Sequence, residues 1–222
     1  FRSFDSREFF FVDDNICGKP EYSKELFEAL IPLKKSWGGQ TSITFARDEE
    51  LLRLYAKSGG KYAFIGFETV SEESLAGINK RWNRADSYAQ TIKRIHKAGI
   101  NILGSFIFGL DEDDHNVFRR TLQFIMENRI DAAQYHILTP FPGTRLYAKL
   151  ESEGRIIDRD WAKYHTGEAV FQPRKMSPRE LETEFYRIFR ETYRWPNILK
   201  RVFRSPRGVP YRLVMNISYR NK

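Results

Sequence analysis

Two kinds of hydrophobic pattern alternate along the chain. Short runs rich in β-branched and aromatic residues predict five β-strands. These runs are residues 8–14 (EFFFVDD), 41–47 (TSITFAR), 62–68 (YAFIGFE), 100–109 (INILGSFIFG) and 131–139 (DAAQYHILT). Between them, apolar residues recur three or four positions apart, which indicates amphipathic helices. The first such set is Leu26, Phe27, Leu30, Leu33 and Trp37, interrupted by Pro32.

The alternation of strands and helices predicts the fold class. Strand–helix–strand repeats form parallel strands joined by right-handed crossovers, so an α/β fold is expected, either an open doubly wound sheet or a full or partial barrel. In both architectures the ligand site lies at the carboxyl ends of the strands.

Polar residues follow most of the predicted strands. They are Asp13, Asp14 and Asn15, then Arg47 and Asp48, then Glu68 and Thr69, then Gly109 and Asp111, and finally Thr139 with the turn PFPGT. A single Asp or Asn after a strand is typical of a helix cap or a turn. Five such ends in succession favour a binding site at one edge of the sheet.

The pattern changes after Asp160. The segment MSPRELETEFYRIFRETYRW predicts a helix that starts at Ser-Pro, and NILKRVFR predicts a second, short basic helix. The segment YRLVMNISY (211–219) is typical of a strand. We therefore divide the chain into an α/β body, residues 1–154, and a mostly helical, basic extension, residues 155–222.

Composition and length are those of a globular protein. The chain is 41% hydrophobic and 30% charged, as is typical of a folded globular protein. Its length of 222 residues is sufficient for one large domain or for one domain with a small appendage. No apolar run approaches the ~18 residues of a membrane helix and no stretch resembles a signal peptide, so a cytoplasmic protein is expected. Because the first residue is Phe1, we expect the chain to be part of a longer protein.

The positive charge is concentrated at the C-terminus. The chain carries 37 Lys and Arg against 29 Asp and Glu, and eight basic residues but no acidic one lie in residues 194–222. One interpretation is a solvated terminal segment; the other is contact with an anionic partner, such as a phospholipid surface, nucleic acid or an acidic face of a neighbouring domain. On the second interpretation, Lys200, Arg201, Arg204 and Arg207 would lie beside Trp195, Ile198, Leu199 and Phe203 at the surface.

Cysteine and histidine limit the metal chemistry. A single cysteine, Cys17, excludes an internal disulfide and a multi-thiolate metal site within this chain, and Cys17 is interpreted as a small apolar residue. The four histidines lack the spacing of a helix-borne zinc site, so no metal ligand is predicted. His136 is interpreted as a hydrogen-bonded core residue, with contact to substrate as the alternative.

Four motifs in register resemble the radical S-adenosylmethionine (SAM) enzymes. They are FFFVDDNI, LLRLYAKSGGKYAFIGFETVSEESLAGINK, GSFIFGLDED and LTPFPGT. The resemblance is closest to the class with a cobalamin-binding domain, which includes hopanoid methylases. It implies a partial (β/α) TIM-like barrel of parallel strands with a helical C-terminal appendage. The run 8–14 matches the second strand of the family, so the first strand of the barrel is expected to be missing from this chain.

The resemblance also implies a set of SAM-binding residues. Asp13, Asp14 and Asn15 match the position that contacts the aminocarboxylate group of SAM, where fixed carboxylates suit an ammonium cation. Glu68 matches the position that reaches the ribose hydroxyls. The remaining matches are Lys80 for the SAM carboxylate, with a plain surface lysine as the alternative, Ser105 and Gly109 along adenine and substrate, and Phe141 in the turn near adenine.

One departure from the family is decisive for activity. The family holds its [4Fe–4S] cluster on a CxxxCxxC loop, which this chain lacks, and one thiolate cannot replace three. The ligands of the cluster, and of cobalamin, are therefore expected outside this chain, on the N-terminal cluster loop and cobalamin domain of a parent protein. The chain alone is expected to be inactive.

The function implied by the resemblance is that of the parent protein. It is a cobalamin-dependent methylase or a related radical transferase that acts on an unactivated carbon of a small-molecule or lipid substrate. One alternative is a methylthiotransferase-like enzyme that modifies RNA or protein, although the helical C-terminal region favours it less and nucleic acid is not the expected partner. The other alternative is a cluster-free barrel that serves as a binding scaffold.

Overall fold

The computed structural model describes residues 5–71, 74, 85–203, 205 and 208–221. Its centre is a sheet of five strands that pair in sequence order, and every pair is parallel. The strands are β1 (Glu8–Phe11), β2 (Ser36–Thr41), β3 (Gly60–Glu68), β4 (Asn101–Phe108) and β5 (Ala132–Ile137). The prediction of one sheet of five parallel strands is confirmed, although the second strand lies earlier in the sequence than expected.

Helices follow the strands and continue into the C-terminal region. They are α1 (Pro20–Leu30), α2 (Glu49–Lys57), α3 (Ala85–Lys97), α4 (Val117–Glu127), α5 (Arg145–Ser152), α6 (Pro178–Thr192), α7 (Trp195–Val202) and α8 (Val209–Arg220). Short 3-10 helices cover Ile31–Leu33, Ile43–Arg47 and Trp161–Lys163. As Pro32 predicts, α1 ends before it.

The two faces of the sheet differ. On β3, Ala63, Ile65 and Phe67 are fully buried, and Phe67 contacts Tyr88 of α3. Side chains alternate along a strand, so Phe64 and its neighbours two residues away point to the other side. We call that side, which α1–α4 leave uncovered, the inner face. It also carries Ser105 and Ile107 of β4 and Gln134 and His136 of β5, since these residues pair across the strands.

The position predicted for the second strand is wrong. Residues 41–47 were expected to form it, but β2 is SWGGQT and the residues after it turn into a 3-10 helix. The Ser42 side chain accepts a hydrogen bond from the Thr44 N–H, which starts that turn. Trp37, expected on a helix, lies on β2 and its ring packs 4.3 Å from that of Tyr55. Tertiary packing on Trp37 overrides the weak strand propensity of the two glycines beside it.

The free side of β5 is closed by the C-terminal region. The Tyr193 hydroxyl accepts a hydrogen bond from Ala133 N at 3.0 Å and donates one to Ala133 O at 2.6 Å. Farther along, Ile137 N donates to Thr166 O at 2.7 Å. On the outer side of β1, by contrast, the described residues provide no pairing strand.

The helix predicted at Ser-Pro is confirmed as α6 and shares the core of the sheet. Ser177 forms a capping box with Glu180 at its start. Leu181, Phe185 and Ile188 belong to the same apolar cluster as the residues of β3 and β4. The short basic helix is confirmed as α7.

The predicted strand at 211–219 is wrong, because this segment is helix α8. Arg212 and Asn216, one helical turn apart, both reach the start of β5. Asn216 Nδ2 donates to Asp131 O at 2.8 Å, and Arg212 Nε lies 3.6 Å from Asp131 Oδ1. The helix therefore forms because its polar face satisfies buried groups of the sheet, a constraint that local sequence does not show.

The basic tail is also only partly a surface feature. Arg201 and Arg212 are among the largest fully buried side chains, so the expectation that they are solvated or contact an external anion is wrong. Arg201 donates to Thr192 O at 2.7 Å and lies over the Tyr193 ring. Arg204 and Arg207 lie outside the described residues.

Candidate functional site

The candidate site lies at the edge of the sheet where all five strands end. Because the strands are parallel and pair in sequence order, Asp13 and Asp14 after β1, Glu68 at the end of β3 and Gly109 after β4 follow one another along this edge. Arg47 is not at the end of a strand, because it is the last residue of the 3-10 helix after β2. The Asp48 side chain caps α2 by accepting from Leu51 N at 3.0 Å.

The three adjacent polar residues after β1 have two different roles. Asn15 Oδ1 accepts hydrogen bonds from Thr41 Oγ1 at 3.2 Å and from Cys17 N at 3.3 Å, so this side chain joins the ends of β1 and β2. Asp13 and Asp14 are exposed, and neither forms a hydrogen bond or ion pair with the part of the chain that the structure describes. Two adjacent carboxylates are thus available to a cation.

Glu68 has an unusual backbone. Its φ is +65°, a conformation that costs a non-glycine residue about 1–2 kcal/mol. A register shift between Gly66 and Glu68 adds a bulge at the end of β3 and re-aims the side chain. A Cβ atom on Gly66 would lie 2.7 Å from Glu68 Oε1, so the carboxylate occupies the space that a side chain at Gly66 would fill. The glycine therefore lets the carboxylate lie on the inner face.

His136 extends the polar surface across the inner face. Its Nδ1 lies 3.0 Å from Thr166 Oγ1. Burial lowers the pKa of His136, while the charge of Glu68 acts in the opposite direction, and the net shift keeps the imidazole neutral at pH 7. On the neighbouring strand β4, Ile107 pairs with His136, and the buried Ser105 pairs with Gln134 and Gly66.

Asp113 is a functional candidate that the sequence analysis missed. Its carboxylate accepts hydrogen bonds from Gly109 N at 3.0 Å, Leu110 N at 3.1 Å and Ser74 Oγ at 2.9 Å. Burial raises its pKa to about 6. The side chain thus ties the loop after β3 to the loop after β4. The signal was the run DEDD after the strand, in which only Asp111 was singled out; Asp111 instead pairs with Lys149 at 2.8 Å.

The remaining predicted residues are placed as follows. The Gly109 N–H already donates to the Asp113 carboxylate, so Gly109 could contact a ligand only through its carbonyl. Phe141 lies in the turn after β5 with 45% of its side chain exposed, and its carbonyl accepts from Thr144 Oγ1 at 2.6 Å. Lys80 lies outside the described residues.

The residues present do not fit an iron–sulfur cluster. Burial raises the pKa of the Cys17 thiol to about 12, so it is not a thiolate at neutral pH. Among the described residues, no group of three His, Cys, Asp or Glu side chains could hold a metal ion. The residues do fit SAM: the exposed carboxylates after β1 suit an ammonium group, and the Glu68 carboxylate seated over Gly66 suits a ribose diol.

Fold and site define a SAM-binding partial barrel, and comparison with known families agrees. The model of the radical SAM superfamily matches residues 2–125, more than half of the chain. The chain therefore belongs to the radical SAM superfamily. A second model, DUF4070, described as a domain of unknown function, matches residues 144–212.

Several characterised relatives are methyltransferases. The chain is 37% identical over 198 residues to bacteriochlorophyllide d C-12(1)-methyltransferase of Chlorobaculum tepidum, covering 89% of the chain and 43% of that protein. It is 29% identical to the C-8(2)-methyltransferase of the same organism, covering 97% and 48%. Hopanoid C-2 methylase of Rhodopseudomonas palustris is 27% identical, covering 68% and 30%. The chain thus spans less than half the length of these relatives.

Solved structures support the fold. The radical SAM methyltransferase TsrM from Kitasatospora setae, with cobalamin and a [4Fe–4S] cluster bound, superposes with a TM-score of 0.60 at 16% identity, covering 80% of this chain and 37% of that one. Coproporphyrinogen III oxidase HemN from Escherichia coli gives 0.52 at 15% identity, covering 77% and 37%. These likenesses confirm the predicted partial (β/α) barrel.

Proposed function

We propose that this chain is the SAM-binding part of a radical SAM enzyme that methylates an unactivated carbon of a small organic or lipid substrate. The functions for which the relatives are named, methylation of bacteriochlorophyllides and of hopanoids, support this reaction class. The cluster and cobalamin would be held by residues outside this chain, because Cys17 is the one cysteine here.

The observation that carries the proposal is the placement of Glu68. A strained residue that is held at the end of a strand, with its carboxylate over a glycine, is typical of a ligand contact. A carboxylate binds the two hydroxyls of a ribose through charge-assisted hydrogen bonds. Asp13 and Asp14, which follow the edge strand β1, would then hold the ammonium group of the same SAM molecule.

The chemistry divides between the cofactors and this chain. SAM, together with a cluster held outside this chain, would supply the radical chemistry that acts on an unactivated carbon. The described residues orient SAM and cover it on the inner face. Since SAM carries the reacting carbon next to its ribose, the hydrogen bonds of Glu68 would fix where that carbon lies.

Binding of S-adenosylhomocysteine, measured by calorimetry, tests the proposal without requiring turnover. We expect Glu68→Gln to raise the dissociation constant at least about tenfold, because a hydrogen bond to a charged group contributes about 1.5–3 kcal/mol. Glu127→Gln, an exposed change on α4, is the matched control and should leave the constant unchanged. Equal affinity of the wild type and Glu68→Gln would refute the SAM contact.

A second proposal concerns the surface of α7. Trp195, Leu199 and Phe203 are spaced four residues apart and are 46%, 43% and 64% exposed, with Lys200 beside them. Ile198, expected on this surface, is fully buried. None of the described helices is long and apolar enough to cross a membrane. We propose that this stripe touches an anionic bilayer surface peripherally, as an enzyme that takes a lipid substrate requires.

Sedimentation with vesicles tests the membrane contact. Salt-sensitive binding to vesicles containing phosphatidylglycerol, and weaker binding to phosphatidylcholine alone, is expected, since basic residues near an anionic surface contribute about 1 kcal/mol each. The double change Trp195→Ser, Phe203→Ser should abolish binding. Tyr186→Ser, which removes a similarly exposed aromatic ring from α6, should not. Absence of binding to either vesicle would end this proposal.

A further inference from the structure

The charges around the sheet are divided between its two edges. Acidic residues stand at the carboxyl ends of the strands, among them Asp13, Asp14 and Glu68. In the order β1 to β5, the basic residues shortly before the strands are Arg7, Lys35, Lys57, Lys97 and Arg129. Because all five strands are parallel, these basic residues lie along the amino edge of the sheet, opposite the candidate SAM site.

Two of the helices that reach this edge enclose a groove. Helices α2 and α3 each end shortly before the next strand, and the groove between them has a volume of about 910 Å³. Its walls carry Arg53 and Lys57 from α2, and Arg94 and Lys97 from α3. All four side chains are exposed. The groove therefore presents two basic residues from each side.

The charges of these walls are not neutralised within the part of the chain that the structure describes. None of the four side chains forms an ion pair or a hydrogen bond with a described residue. Glu49 is the one acid among the described residues that line the groove. Its neighbours in sequence, Asp48 and Glu50, both pair with Lys24, at 3.0 Å and 2.7 Å. The groove thus holds four cations against one carboxylate.

Helix dipoles explain part of this pattern. The last turns of both helices line the groove, and a cation there interacts favourably with the partial negative charge of the terminal carbonyl groups. Lys57, Arg94 and Lys97 occupy such positions. Arg53 lies one turn earlier on α2, four residues before Lys57, where two like charges destabilise a helix. The basic wall of α2 is therefore unfavourable in the isolated chain and suits an anion from outside it.

The floor of the groove indicates which kind of anion fits. It consists of Leu52, which is buried, and of Ala56 and Ala98, which are half-buried and leave the groove open. Apolar side chains gain little from contact with a phosphate group. No aromatic ring is among the described lining residues, so the groove lacks a surface on which nucleic-acid bases stack. An apolar floor between two basic walls matches an amphipathic helix whose apolar stripe is flanked by carboxylates.

We propose that the groove between α2 and α3 binds an acidic amphipathic segment of a partner protein. Carboxylates along one side of the segment pair with Arg53 and Lys57. Those along the other side pair with Arg94 and Lys97, and the apolar stripe covers the floor. The proposal does not rest on the proposed SAM site, because the groove lies toward the opposite edge of the sheet.

Binding of a labelled synthetic peptide, measured by fluorescence anisotropy, tests the proposal. The peptide is a short amphipathic helix in which glutamates flank a stripe of leucine and alanine. Two control peptides carry glutamine in place of glutamate, or serine in place of leucine. The acidic peptide should bind at low ionic strength and be released as salt is added, because exposed charges are screened. Both control peptides should bind at least about tenfold more weakly.

Two double substitutions with the same change in net charge test the location of the site. Arg53→Gln with Lys97→Gln removes one cation from each wall and should weaken binding about fivefold to tenfold, because each exposed ion pair contributes only modestly. Arg119→Gln with Arg179→Gln removes two exposed cations from α4 and α6 and should leave the affinity unchanged. Neither double substitution should alter the binding of S-adenosylhomocysteine.

Chemical crosslinking gives the position of the bound peptide directly. A carbodiimide joins a carboxylate to the amine of a lysine that it contacts. After digestion, mass spectrometry should find the peptide attached to Lys57 and Lys97. Lys175, which pairs with Glu112 at 2.7 Å, is the internal control and should carry much less peptide.

Three results would overturn the proposal: no binding of the acidic peptide at low salt, equal affinity of the wild type and the groove variant, or crosslinks that avoid Lys57 and Lys97. Short duplex DNA and phosphatidylglycerol vesicles test the other anions. If either binds more tightly than the peptide, and the groove substitutions weaken that binding, the groove serves a nucleic acid or a bilayer and the proposal is also overturned. Binding of S-adenosylhomocysteine to the same variants keeps this outcome separate from the proposed function.

Discussion

Asp113 Oδ2 and Gly109 N are joined by a hydrogen bond of 3.0 Å across the loop that follows β4. The same oxygen accepts from Leu110 N, and Oδ1 accepts from the Ser74 hydroxyl. A buried carboxylate therefore links Ser74, which follows β3, to the loop after β4 at the edge of the candidate site. Removing it would leave two buried N–H groups without a partner, which costs about 1–3 kcal/mol for each group.

Replacing Asp113 by Asn should change how stability depends on pH. Burial raises the pKa of Asp113 to about 6 from 3.8, so the folded protein binds this proton more tightly than the unfolded chain does. The stabilisation is complete below about pH 4 and is lost as the pH rises through 6. Asn keeps an acceptor for the two N–H groups and never ionises.

We therefore expect the free energy of unfolding of Asp113→Asn, relative to wild type, to rise by up to about 3 kcal/mol between pH 4 and pH 7. Urea denaturation across this range measures it. Asp114→Asn should show the opposite sign. Burial acts to raise the pKa of Asp114, but the hydrogen bonds from Arg120 and Asn116 and the charge of Arg120 outweigh it, so the pKa is lowered. A pH-independent difference for Asp113→Asn would contradict the raised pKa.

Gly109→Ala tests packing at the end of β4. Gly109 has φ +95°, and a Cβ there would lie 2.9 Å from Leu181 Cδ2 and 3.1 Å from Phe171 Cζ. Gly99 has a comparable φ of +82°, but a Cβ there would meet nothing within 4 Å. Gly99→Ala should cost about 1 kcal/mol for conformation alone, and Gly109→Ala about 1–3 kcal/mol more. Equal losses in thermal denaturation would show that the site tolerates a methyl group.

Tyr193→Phe tests the closure of the β5 edge. The hydroxyl bridges the N–H and the carbonyl of Ala133, and both groups are left without this partner when it is removed. We expect a loss of about 2 kcal/mol in the free energy of unfolding, together with faster hydrogen exchange of the Ala133 amide. Tyr186→Phe removes a hydroxyl whose contact to Gly167 O is 3.4 Å at the surface, so its effect should be near zero.

Arg201→Met and Lys200→Met form a matched pair of adjacent substitutions. Arg201 is fully buried and donates to the carbonyls of Thr192 and Asn197, whereas Lys200 is exposed. Loss of the guanidinium leaves buried carbonyls without donors, so about 2–4 kcal/mol of stability should be lost. Lys200→Met should change stability by less than about 0.5 kcal/mol. Similar small effects would mean that Arg201 is not anchored in solution.

Reconstitution with iron and sulfide tests whether Cys17 can hold an iron–sulfur cluster. Because burial raises the pKa of its thiol to about 12 and it is the one cysteine, this chain should retain no stoichiometric cluster after anaerobic reconstitution and desalting. The same thiol should react with iodoacetamide slowly in buffer and rapidly in urea. Four irons bound per chain, or equal alkylation rates, would show that the thiol is accessible to metal.

Hydrophobic periodicity was sufficient for four of the five parallel strands and for the polar residues that follow them. Runs such as 8–14 and 62–68 contain both the apolar residues that bury a strand and the acids that follow it, so strand and site residue are encoded together. Asp13, Asp14 and Glu68 could be predicted on these grounds. Helix α6 was predictable for the same reason, since its cap and apolar stripe are local.

Tertiary contacts decided what local pattern did not. Residues 36–41 form a strand although two of them are glycine, because Trp37 packs on α1 and α2. Residues 209–220 form a helix although the pattern of residues 211–219 predicts a strand, because Arg212 and Asn216 must both face Asp131. The role of Asp113, the contact of His136 with Thr166 and the burial of Arg201 depend on residues that are distant in sequence. A polar side chain shows its partner only when the chain has folded, whereas an apolar one shows its burial in the periodicity itself.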